Sequence, residues 1–177
     1  MKSVKIQQEL IKNYASYVNY VKTHEHHLNA DGILPTCYSI ANGKVYLGYS
    51  THIFAINEND ILVDLNKFTE IENFRRDDII TKYRMNTATK PNSIFSGIIR
   101  EVDWHGKRRQ VVELRDISCS MVMAYVDKKI FDYFECDEFY MADTYTPIYA
   151  IKNGSCVGMM LPLSINEEDC NDYCSRF

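Results

Sequence analysis

The chain has 177 residues, 46% of them hydrophobic, enough for one domain whose apolar core needs neither disulfide nor metal. Its formal net charge of -4 and pI of about 5.7 exclude a uniformly basic nucleic-acid wrapper but leave room for a local basic patch. Thirteen Tyr and eight Phe accompany a single Trp, Trp104, a balance that suits either a macromolecular contact surface or a Tyr-rich core and sheet.

Residues 3–22 carry Val4, Leu10, Ile11, Tyr14, Tyr17, Val18 and Val21 at three- and four-residue steps, which predicts an amphipathic helix. A polar stretch from His24 to Asp31 ends it. The segments CYSIA and KVYLGYSTHIFAI flank Asn42-Gly43, the strongest local hairpin signal in the chain. DILVDL at 60–65 reads as a further strand. Residues 67–86 show an imperfect helical stripe (Phe68, Ile71, Phe74, Ile79, Tyr83) interrupted at Asp77-Asp78, and 86–93, with Pro91, form the best linker. A second hairpin, IFSGIIREVDW and KRRQVVELRDI, turns at His105-Gly106. Residues 126–135 read as a short helix starting near Asp127. Two strands around Asn153-Gly154 follow, and the acidic tail after Asn166 suggests a helical turn. A helix leading to an Asn-Gly hairpin occurs twice. The fold expected is therefore α+β: antiparallel sheets with two main helices, as one domain over 1–177 with pseudo-symmetric halves 1–86 and 94–177.

Several clusters invite chemistry. His24-Glu25-His26-His27 holds good metal ligands, but adjacent residues cannot converge on one ion and the H-E-x-x-H spacing is missing. Cys170 and Cys174, four apart, make half a metal site. The acidic pairs Asp77-Asp78, Asp137-Glu138 and Glu167-Glu168-Asp169 do not form a nuclease set by spacing, and no phosphate-binding glycine loop is present. The expectation is no catalytic residue, no metal and no cofactor. The six cysteines (Cys37, Cys119, Cys136, Cys156, Cys170, Cys174) lack a CxxC pair, and the N-terminus runs straight into a polar amphipathic segment. Free thiols in a reducing cytoplasm follow. No apolar run approaches the roughly 20 residues of a membrane span. The sharpest feature is Lys107-Arg108-Arg109 beside Trp104, three cations and an aromatic expected at one hairpin tip. Together they form a candidate partner-binding site for phosphates or an acidic protein surface.

Two segments resemble a bacterial sliding-clamp domain: IANGKVYLGYSTHIFAI (40–56) and 125–165, which ends in Met160-Leu161-Pro162-Leu163. Similar segments occur in small phage proteins of Gram-positive bacteria. The first segment has Gly48-Tyr49-Ser50-Thr51-His52 where clamps have an Asp-Gly-His stretch, and the chain has room for one clamp domain rather than three. The resemblance implies a non-enzymatic binding protein of phage or mobile-element origin. Its partner would be a host or phage protein, such as a nucleoprotein or a host DNA-processing or defence protein, and an anti-CRISPR-type inhibitor is one form. The alternative is a DNA-associated replication accessory, which would assemble as an oligomer; a metal-dependent nuclease comes third.

Overall fold

A computed structural model describes residues 3–23, 36–49, 51–85, 90–104, 106–165 and 170–175. The chain is mixed α+β and divides into two compact units, Lys2–Asp78 and Ile79–Phe177.

The first unit opens with helix α1 (Ser3–Thr23) and continues through strands β1 (Cys37–Ala41), β2 (Lys44–Tyr49), β3 (His52–Asn57) and β4 (Thr69–Glu70), in spatial order β4-β1-β2-β3. Among the described side chains of α1, Ile6, Gln7 and Leu10 are buried, while Val4 and Ile11 are exposed. Of the expected stripe, Leu10 is thus buried and Val4 and Ile11 are not, one buried position is polar, and the side chains of Tyr17, Val18 and Val21 lie outside the described ones. Asn42 and Gly43 both have positive φ (52° and 70°), the type I′ geometry that matches strand twist, and they join β1 to β2. Register places Tyr38, Val45, Leu47, Phe54 and Ile56 on one face and Cys37, Ser39, Tyr46, Ile53 and Ala55 on the other, and all ten are buried. A sheet covered on both faces reads as continuous apolar runs, as these strands do. The expectation of purely antiparallel pairing needs correction, because β1 and β4 run parallel.

Residues 60–65 are not a strand. Two short 3-10 turns, Glu58–Asp60 and Leu65–Lys67, frame an irregular stretch instead. The cause is Gln7: its Nε2 donates to the Asp60 carbonyl at 2.9 Å and its Oε1 accepts from Leu62 N–H at 2.7 Å, so a side-chain amide takes the place of a neighbouring strand.

A third helix, α2 (Arg76–Met85), corrects the two-helix expectation; the boundary between the units falls after its third residue, Asp78. Asp77 and Asp78, which look like an interruption in the sequence, occupy the first turn, where negative charge complements the unpaired amides.

The second unit contains β5 (Ser93–Trp104), β6 (Lys107–Asp116), β7 (Val122–Asp127), helix α3 (Lys128–Phe134), β8 (Glu138–Tyr140), β9 (Ile148–Lys152), β10 (Ser155–Met160) and β11 (Cys170–Ser175), in order β10-β9-β8-β5-β6-β7. Twelve residues long, β5 serves two neighbours along one edge: β8 meets its first residues and β11 its last. The tail is therefore a strand, not the helical turn expected of its acidic start; residues 166–169 lie outside the described residues. Pairing with the exposed edge of β5 overrides the local helix signal. Asn153-Gly154 joins β9 to β10, again with two positive φ values. The core includes Val112, Leu114, Phe134, Phe139, Ile148 and Met160, and the Phe131 ring lies between those of Phe95 and Phe139.

Candidate interaction surface at the β5–β6 hairpin

The hairpin expected at His105-Gly106 forms, with Trp104 directly opposite Lys107; His105 itself lies outside the described residues. Cross-strand partners share a face and neighbours along a strand alternate. Trp104, Lys107 and Arg109 therefore share one face, while Arg108 lies on the other, opposite Asp103. The fork of three cations expected from sequence is thus split between two faces.

On the Trp104 face, the ring packs against a cluster formed by Val102, Val111 and Tyr125. The Arg109 guanidinium carbon lies 4.6 Å from the ring centroid, within cation–π range. Arg109 Nη1 also donates to Asp127 Oδ2 at 3.1 Å. The Arg109 side chain remains 38% exposed, so this pair contributes little stability by itself. Lys107 and Arg108 are exposed, and Lys107 meets no carboxylate among the described residues. Register also sets Gln110 opposite Glu101, so acids and cations interleave: Asp103 across from Arg108, Glu101 beside them, Asp127 on Arg109.

Asp127 escapes a sequence reading as part of this site. It lies 18 residues beyond Arg109 and reads only as a helix start; the β6–β7 register, with Val111 opposite Asp127, brings it there. Further along the same face is Glu113, fully buried. Its Oε2 accepts from Arg100 Nε and Nη2 at 3.2 and 3.1 Å, and its Oε1 from Arg115 Nε. Burying a carboxylate is costly unless such partners surround it.

Two grooves flank this region. One, of about 400 Å³, is lined by Arg109, Gln110, Asp127, Lys128, Lys129 and Asp132. The other, of about 540 Å³, runs between β7 and residues 161–165, with Tyr145 almost fully exposed at its margin and Leu163 N–H donating to the Tyr125 carbonyl at 2.8 Å.

Of the other sequence candidates, His24, Glu25, His26, His27 and the 167–169 acids lie outside the described residues. Cys170 and Cys174 fall in a strand rather than a helical turn, and Asp77-Asp78 heads α2. Among the described residues, no three His, Cys, Asp or Glu side chains converge as metal ligands would, and no helix is long and apolar enough to cross a membrane. Comparison with protein-family models, curated proteins and solved structures finds no match.

Proposed function

We propose that this chain is a non-enzymatic binding module whose β5–β6 hairpin docks on another protein. The observation that carries the reading is the tip itself. A braced Trp–Arg pair lies beside an exposed lysine, the aromatic-plus-arginine composition of interface hot spots, on a chain of net acidic charge.

The interleaved acids favour protein over nucleic acid. Phosphate binding draws its affinity from cations that neutralise a polyanion. Here Asp127 sits on Arg109 on one face, and Asp103 and Glu101 lie with Arg108 on the other, so on either face a carboxylate would oppose the phosphates. A protein surface can answer alternating charges with its own, which gives specificity and steers encounter. The partner class, a nucleoprotein or a host DNA-processing or defence protein, rests on the clamp-like resemblance of residues 40–56 and 125–165. An inhibitor of the anti-CRISPR type is one form, in a phage or mobile-element setting and in the cytoplasm. The repeated local order supports a pseudo-symmetric reading: α1 precedes the Asn42-Gly43 hairpin, and α3 precedes β8 and the Asn153-Gly154 hairpin.

A gel-shift series with single- and double-stranded DNA at low salt tests the choice. The proposal expects no retention. Salt-sensitive retention abolished by K107E/R108E would support the replication accessory instead.

A further inference from the structure

We infer that Asp127 is a positioning residue that holds Arg109 over Trp104 and ties the hairpin tip to the start of α3; its bearing on partner binding rests on the function proposed above.

Two separate interactions converge on this one side chain. Asp127 is the N-cap of α3, with Oδ1 accepting from Lys129 N–H at 2.9 Å. Its Oδ2 accepts from Arg109 Nη1 at 3.1 Å. The carboxylate is 17% exposed, so it is anchored at the helix end while pointing its second oxygen at the hairpin. A partly exposed arginine has many rotamers; the carboxylate selects those that hold the guanidinium over the neighbouring ring. Trp104 is held from its other contacts by the Val102, Val111 and Tyr125 cluster. The result is a prearranged aromatic and planar cation, and prearrangement lowers the ordering cost of binding. Glu at this position would place the charge one carbon further out, and Ala would remove both functions.

The two roles can be separated by substitution, because Asn caps a helix about as well as Asp but carries no charge. Trp104 is the only tryptophan in the chain, so its fluorescence reports the tip alone. In D127N, acrylamide quenching of Trp104 should rise and its emission shift to the red, with far-ultraviolet circular dichroism unchanged. R109K, which keeps the charge but loses the plane and the fork, should show the same change with the cap untouched. D127A should add a lower melting temperature. Wild-type quenching and emission in both D127N and R109K would overturn the inference. If both variants uncover Trp104 yet recover the same proteins from a lysate of the native cells in the same amounts as wild type, positioning stands and the docking role of the hairpin falls.

Discussion

The Gln7 side-chain amide donates to the Asp60 carbonyl at 2.9 Å and, through its oxygen, accepts the Leu62 amide, joining α1 to an irregular segment more than 50 residues away. Gln7 is 1% exposed, whereas Asp60 and Leu62 are exposed and both bonds are only partly buried, so water can reach the backbone groups once the amide is gone. Gln7→Leu keeps the volume roughly and removes both bonds. It should cost about 1 kcal/mol, read as a lower urea midpoint with an unchanged slope. An unchanged midpoint would mean that residues 60–62 find other partners.

At Gly48 the constraint is space. A Cβ there would strike the backbone carbonyl of His52 and the Cα of Ile53, which face it across the β2–β3 pair. Neither obstacle is a side chain that can swing aside. Gly48→Ala should destabilise by about 2 kcal/mol or more, lowering the melting temperature by several degrees. A melting temperature equal to wild type would refute the close approach.

Thiol labelling of the native protein should be selective. Burial, with the neighbouring Asp137 charge, pushes the Cys136 thiol up to about 12, and burial also raises Cys37. Cys156 is buried too, whereas Cys119 is exposed on the β6–β7 turn. At pH 8, of Cys37, Cys119, Cys136 and Cys156, iodoacetamide should modify Cys119 first and reach the other three only on unfolding, because the thiolate is the reactive form. Rapid native modification of Cys136 would contradict its burial.

The β6–β7 turn carries its own acid sensitivity. Asp116 accepts from the Ser118 hydroxyl and amide and the Cys119 amide, which lowers its carboxyl to about 2. A folded-state value below the unfolded one gives stability that is complete above about pH 4 and lost as the pH falls through about 2. Carbon-13 NMR titration should find the Asp116 midpoint near 2, and Ser118→Ala should raise it. An ordinary midpoint in both proteins would dispose of the turn's hydrogen bonds in solution.

What the sequence makes legible here is short-range. Asn42-Gly43 and Asn153-Gly154 announce their hairpins because the turn chemistry lies in two adjacent residues. Asp127 announces the start of α3 for the same reason. The misreadings depend on distant partners. Residues 60–65 have strand composition but bond to Gln7, and the acidic tail has helix-start composition but pairs with β5. Asp77-Asp78 misleads in a different way: a break in an apolar stripe and the first turn of a helix carry the same residues. At the tip, the local run Lys107-Arg108-Arg109 is visible in sequence. The division of its charges between two faces is a matter of strand alternation, and the Asp127 partner a matter of β6–β7 register.

The most direct measurement of the docking claim is quantitative affinity capture from one lysate of the protein's native cells. It compares wild type, K107E/R108E, and K67E as a charge-reversal control on an exposed residue of the other unit. Reversal of exposed charges should leave the fold intact, which melting curves verify. The account predicts that proteins recovered with wild type and K67E fall about tenfold with K107E/R108E at low salt, the difference shrinking as salt rises. Equal recovery with all three proteins would contradict it and place the binding surface elsewhere on the molecule.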